Sequence, residues 1–333
     1  MEKFTEETIR RRMHGLYLSR KCDDIVDLSN ELLGLHCWFH RNVAFSAVIR
    51  GAGLAGWRDR LIKTWLYRGT LHGVDYSELP LLLALHADAV PWAWFGIPDE
   101  QADEVAEEVI ALMNDGVYSR AEMRKIFADR FERETVERLF SPWGGIFVYL
   151  ARQGRVSFRN MTSRDFDLIN AEPTLTRAEA LDILLRRFFE VYGPATTADA
   201  EWFFGLRKGE ASGFEPRGLR IIGSNGRSVY YCSNVDVDDL PDIPHITLLS
   251  GFDPYIVSYT DRGAALPDEY RKAVILKSGI CLPTIAIDGQ VAGLWNIKKN
   301  EPIVEFFKPQ PKRIESAALD MVAEMAFKTH GQI

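Results

Sequence analysis

Thr176-Arg177-Ala178-Glu179-Ala180-Leu181-Asp182-Ile183-Leu184-Leu185-Arg186-Arg187-Phe188-Phe189-Glu190-Val191-Tyr192-Gly193-Pro194 carries the start, body and stop signals of one helix. The Thr176 hydroxyl can accept from a backbone amide while Glu179, three residues on, reaches back, which is a capping box. Ala180, Leu181, Ile183, Leu184, Phe188 and Val191 recur at helical spacing. Gly193 reads as a C-cap glycine and Pro194 as a helix breaker. A second helix is expected near Thr197-Ala198-Asp199, carrying Trp202 and Phe203. Two strand-like runs, 219–222 and 228–232, then flank Ser224-Asn225-Gly226-Arg227. Asn-Gly between apolar runs is a strong hairpin signal, because both turn positions need positive φ.

Helices followed by a small hairpin is the order of a winged helix, whose hairpin is the wing and whose last helix usually reads a groove. Working outward, the order recurs. Ser119-Arg120-Ala121-Glu122 is a second capping box. After it, Gln153-Gly154 separates 146–150 from Val156-Ser157-Phe158 as the expected hairpin. Upstream, 4–18 reads as a basic amphipathic helix, 25–35 is apolar-periodic, 50–56 is a glycine-punctuated joint and 65–74 is a hairpin. Downstream, 284–295 reads as a hairpin around Asp288-Gly289, and 314–328 as a final helix. The expected fold class is α+β, mainly helical: winged-helix units at 1–80, 81–165 and 170–235, then a mixed C-terminal β-hairpin region at 244–333. An unrelated α+β protein with several hairpins would show the same order.

With 333 residues and 47% hydrophobic content, the chain can bury a sizeable core in two or three domain-sized units. The start, Met1-Glu2-Lys3-Phe4, does not read as a signal peptide, and no window offers the roughly 18 apolar residues of a membrane span. Cys22, Cys37, Cys232 and Cys281 form no CxxC pair, which argues against a zinc site of the usual spacing. A cytoplasmic location is expected, with no obligate protein partner evident. The sequence contains no Walker loop, no G-x-S-x-G and no H-E-x-x-H.

The formal net charge of −7 counts against a uniformly basic nucleic-acid binder. Its distribution is uneven. Acid concentrates at 99–108 and 236–242, while base concentrates at Arg152, Arg155 and Arg159, at Arg217, Arg220 and Arg227, and at Lys298 and Lys299. Segregated patches permit binding on one face. Any single run, taken alone, reads better as a solvated face.

Thr64-Trp65-Leu66-Tyr67-Arg68-Gly69-Thr70-Leu71-His72 packs aromatics, an Arg, a Gly, a Thr and a His into nine residues. With it, in order, stand Gly34-Leu35; Tyr192-Gly193-Pro194-Ala195-Thr196 with Asp199 and Trp202; Gly251-Phe252-Asp253-Pro254-Tyr255 with Tyr259; and Asp288-Gly289-Gln290-Val291-Ala292-Gly293-Leu294-Trp295. Together these segments resemble the AlkZ- and YcaQ-type DNA glycosylases. That resemblance implies tandem winged helices around a concave channel for double-stranded DNA, and excision of bulky alkylated purines or unhooking of interstrand crosslinks, with no metal or organic cofactor and, in a bacterium, a nucleoid-associated location. The family's catalytic motif, Gln-aliphatic-Gln or Gln-aliphatic-Asp, follows the Gly-Leu. Here that position reads His36-Cys37-Trp38, so both polar residues are changed.

An alkylated purine is a cationic leaving group, so the enzyme mainly positions a water and stabilises an oxocarbenium-like sugar. His36 can orient or deprotonate that water. Trp38 has one donor and no acceptor, but can stack on a base or an aromatic adduct. Asp253 can stabilise positive charge, hold an Arg in place, or cap the turn before Pro254. The packing alternatives are a half-buried His36 in a helix and a core Trp38. The expected DNA contacts are Arg68, Thr70 and His72 around Gly69, the hairpin-tip residues Arg155 and Arg227, and Lys298. Three functions are compatible: a DNA N-glycosylase, a non-catalytic DNA-binding lesion sensor or regulator, and a binder of an alkylating compound.

Overall fold

The computed structural model describes residues 2–86, 99–141, 144–225 and 228–332. The fold mixes helices and antiparallel sheets in two compact units, one made of residues 1–57 with 182–333 and the other of 58–181. Among the described residues no helix is long and apolar enough to cross a membrane.

The deciding stretch is the helix Arg177–Tyr192, most of which belongs to the first unit, followed by Thr197–Phe204. Thr196 and Asp199 form a capping box, and Asp199 also accepts from the Thr260 amide and hydroxyl. The hairpin follows as Arg220–Asn225 paired with Ser228–Cys232. Gly193 is not a left-handed cap. A Cβ there would lie 2.4 Å from Phe189 O and 2.5 Å from Tyr231 O and Cys232 Cα, so glycine is needed for close approach of helix and hairpin.

A four-stranded antiparallel sheet in the same unit runs Glu301–Phe306, Gln290–Lys298, Thr284–Ile287, Ile246–Leu249. The expected Asp288-Gly289 turn joins two of these strands with φ of 48° and 79°. The helix Lys312–Thr329 puts Ala318, Val322 and Met325 into a core with Phe45, Leu248, Ile285 and Trp295. Buried polar tips then latch remote segments together. Tyr192 Oη donates to Leu32 O (2.7 Å), Tyr259 Oη to Tyr192 O (2.8 Å), Tyr255 Oη to Gly289 O (2.9 Å) and Trp295 Nε1 to Leu249 O (2.9 Å). Each bond satisfies a group that would be costly to bury alone.

In the second unit the strands Leu71–Val74, Ile62–Trp65, Val156–Phe158 and Phe166–Leu168 lie side by side in that order, each pair antiparallel. The helices Asp99–Asn114, Arg120–Phe127, Arg133–Leu139 and Ile146–Arg152 supply Val105, Val109, Met123, Phe127, Leu139 and Phe147 to a core shared with Trp65 and Phe166. Ser119 caps its helix by accepting from the Glu122 amide at 3.2 Å. One expectation is corrected here: the run 146–150 is helical. It buries Ile146, Phe147, Leu150 and Ala151, one helix face, and the hairpin is Val156–Phe158 with Phe166–Leu168. Gln153 to Arg155 therefore join a helix to a strand and are not a hairpin tip.

Candidate active site and nucleic-acid contacts

His36 ends the two-residue strand Leu35–His36 and is half-buried, with Cys37 buried behind it and Trp38 half-buried. It is therefore not the helix residue of the packing alternative. The ring of Phe252 lies parallel to the imidazole, with centroids 4.3 Å apart and planes within 9°. Phe39, 39% exposed, tilts against the same phenyl ring at 6.4 Å. A face-to-face contact occupies the face of the imidazole. Its nitrogens hydrogen-bond in the ring plane, so the stack fixes their direction without engaging them.

Phe252 reaches that place from a left-handed backbone, φ 58°, a conformation unfavourable for a side chain of this size. Its neighbours account for it. Gly251 packs so tightly on Asn42 that a Cβ would lie 2.9 Å from the Asn42 amide nitrogen. Asp253 follows, wholly buried, with Arg50, also wholly buried, across from it. The guanidinium donates to Asp253 Oδ1 at 2.8 Å and to Oδ2 at 3.1 Å. Oδ1 also accepts from the Tyr255 amide, and Oδ2 from the amide and hydroxyl of Ser250, each at 3.1 Å. Arg50 is completed by Leu16 O and Ser46 Oγ. Asp253 thus holds an Arg and caps the turn at once, and both its oxygens are saturated.

A family model described as DNA glycosylase AlkZ-like matches residues 55–326. The chain belongs to the AlkZ-like DNA glycosylase family. It is 28% identical over 300 residues to an interstrand DNA cross-link repair glycosylase of Streptomyces sahachiroi, which covers 81% of this chain and 79% of that protein. The solved structure of Streptomyces sahachiroi DNA glycosylase AlkZ superposes with a TM-score of 0.78 at 25% identity, over 96% of each chain. In this family member His36 lies in the first unit, stacked on Phe252 of the 250–255 segment.

The expected DNA contacts fall in different settings. The turn Tyr67–Gly69 joins two strands of the second unit, with Arg68 at φ 52° and Gly69 at φ 67°. Thr70 Oγ1 donates to Tyr67 O at 2.9 Å. His72 is buried inside the strand Leu71–Val74, its Nδ1 3.1 Å from Thr70 O. Burial and the nearby Arg68 push it down to about 3, so it is neutral and brings no positive charge to the turn. His86 is likewise held at about 4 by burial, Arg152 and Arg177. Arg155 is clamped by both Glu107 oxygens, at 2.5 and 2.8 Å. Lys298 is exposed at the end of its strand, opposite Glu301 in register. Arg227 lies outside the described residues.

Three residues were not singled out as site residues from sequence: Arg50, Phe252 and Arg152. Asp253-Pro254 after Ser250 signals a capped turn, but nothing local names Arg50, which is 203 positions away. The left-handed backbone of Phe252 has no signature in its residue type.

Proposed function

We propose that this chain binds double-stranded DNA and hydrolyses the N-glycosidic bond of bulky alkylated purines, with His36 as the group that orients the attacking water. The observation that carries this is the His36–Phe252 stack. The residue at the family's motif position is held in a defined plane by a neighbour whose own backbone is unfavourable. Local strain of this kind concentrates at functional sites. Water adds to C1′ of the deoxyribose, the bond to the purine breaks, and its electron pair neutralises the cationic base. The water's proton passes to the imidazole. Asp253 acts as a positioning residue, since its carboxylate meets Arg50 and backbone amides. Trp38 and Phe39 offer aromatic surface against which a base or adduct stacks. The helix, helix, hairpin order at 177–232 supports winged-helix units, read at 1–80, 81–165 and 170–235 with a C-terminal region at 244–333, around a concave channel for DNA.

The test is a single-turnover reaction on a duplex carrying one N7-alkylguanine, scored for free base, beside a binding titration at several salt concentrations. Release of the base with salt-sensitive binding is the expected result. Salt-sensitive binding without release, across small and bulky adducts, would instead make the protein a non-catalytic DNA binder. That outcome is favoured by the replacement of both motif polar residues, because Trp38 supplies no acceptor.

A further inference from the structure

In the second unit, Arg152 closes the helix Ile146–Arg152 and is half-buried. Its Nε is buried with no hydrogen-bond partner. Burial alone pulls its pKa down. A cation in this setting is ordinarily paired. Arg120 is the contrasting case: it lacks partners at Nε and Nη2, but lies over the rings of Phe166, Phe147 and Trp65 at 4.9, 5.4 and 5.8 Å. Those ring faces stand in for an anion. Arg152 has no such ring among the described residues.

The surroundings of Arg152 point to an anion of one chemistry. Its Nη2 lies 3.9 Å from where a Gly69 Cβ would be, so it sits beside the backbone of the 67–69 turn at its one side-chain-free position. Arg68 is in that turn, and its charge is felt at buried His72. Arg152 and Arg177 are both felt at His86. Both histidines stay neutral, which leaves the arginines as the cations of the cluster. Arg152 also lines an open cavity of about 780 Å³ with Asn114, Asn170 and Glu172. Glu172 forms no ion pair with it, and the other lining arginine, Arg155, is already neutralised by Glu107.

We propose that Arg152, beside the Gly69 turn, is a phosphate-binding site that receives one phosphodiester of the DNA backbone. A planar, forked guanidinium next to an unobstructed backbone suits a tetrahedral dianionic or monoanionic oxygen group. The source of the phosphate rests on the DNA-binding reading above; the anion site itself does not.

The test uses the full chain and two probes. Inorganic phosphate is titrated while the Arg152 Nε–Hε resonance is followed, and an unmodified duplex is titrated at several salt concentrations with wild type, Arg152→Gln and Arg152→Lys. The expected result is that phosphate moves the Arg152 resonance. Arg152→Gln should weaken duplex binding roughly tenfold and make the slope of log affinity against log salt shallower by about 0.9, with Arg152→Lys recovering part of both. An unmoved resonance, with Arg152→Gln binding within twofold of wild type at an unchanged slope, would overturn the site while leaving DNA binding intact. A moved resonance in a wild-type protein that does not bind duplex would keep the anion site and overturn its assignment to DNA. No response to either probe would overturn both.

Discussion

Replacing Asp253 by Asn removes the carboxylate that faces the wholly buried Arg50 guanidinium. The side chain accepts five hydrogen bonds, two from Arg50, two from Ser250 and one from the Tyr255 amide. An Asn has one oxygen. If its NH₂ takes the Oδ1 place, it meets the donors of Arg50 and Tyr255; if it takes the Oδ2 place, it meets those of Arg50 and Ser250. Breaking a buried ion pair by removing one partner costs about 3–5 kcal/mol. That is roughly two to three and a half orders of magnitude in the folding equilibrium. Denaturant unfolding followed by tryptophan fluorescence reads the loss, and a cycle with Arg50→Met should show a coupling of about 1–3 kcal/mol between the two sites. Wild-type stability in Asp253→Asn together with loss of base excision would refute the reasoning, because that is the behaviour of a carboxylate that faces substrate.

Phe252→Gly should relieve the left-handed backbone yet lower excision, since the imidazole loses its stack, while Phe252→Tyr keeps both; single-turnover rates at matched folded concentration check this. Gly193→Ala should destabilise the first unit by about 3 kcal/mol, because the Cβ meets backbone atoms at 2.4–2.5 Å, and a shift in thermal midpoint reads it. His72 and His86 have folded pKa values of about 3 and about 4, below the ordinary 6.5, so the unfolded chain binds more protons in acid. Their contribution is complete above pH 6.5 and is lost as pH falls towards 4 and then 3. His72→Gln with His86→Gln should flatten that part of the stability profile, and an unchanged profile would show that other groups set it.

Much of the local structure was legible in the sequence. Thr176 with Glu179, Ser119 with Glu122 and the Asp288-Gly289 turn act through neighbours only a few residues away, and their chemistry is written in residue type. The run 146–150 was misread because a short, uniformly apolar stretch has no period of its own. Only its packing shows one helix face inward. Gly193 was misassigned for a different reason: its glycine answers an approach by Tyr231 and Cys232, some forty positions on, and not its own dihedral angle. At the candidate site His36 was legible through its place after Gly34-Leu35. Phe252, Arg50 and Arg152 were not, because what distinguishes them is a tertiary partner or the want of one. The segments Tyr192–Asp199 and 251–259 carry much of the resemblance, and most of their polar groups latch the fold.

The central claim is that His36 stands in the catalytic position. Its most direct test is the single-turnover excision rate of wild type, His36→Ala and His36→Gln on a duplex with one N7-alkylguanine. His36→Ala should lose about 10²–10³-fold in rate with duplex affinity retained, and His36→Gln, which installs the residue that the resemblance implies at this position, should recover much of it. A His36→Ala rate equal to wild type would contradict the claim and move the chemistry elsewhere in the chain.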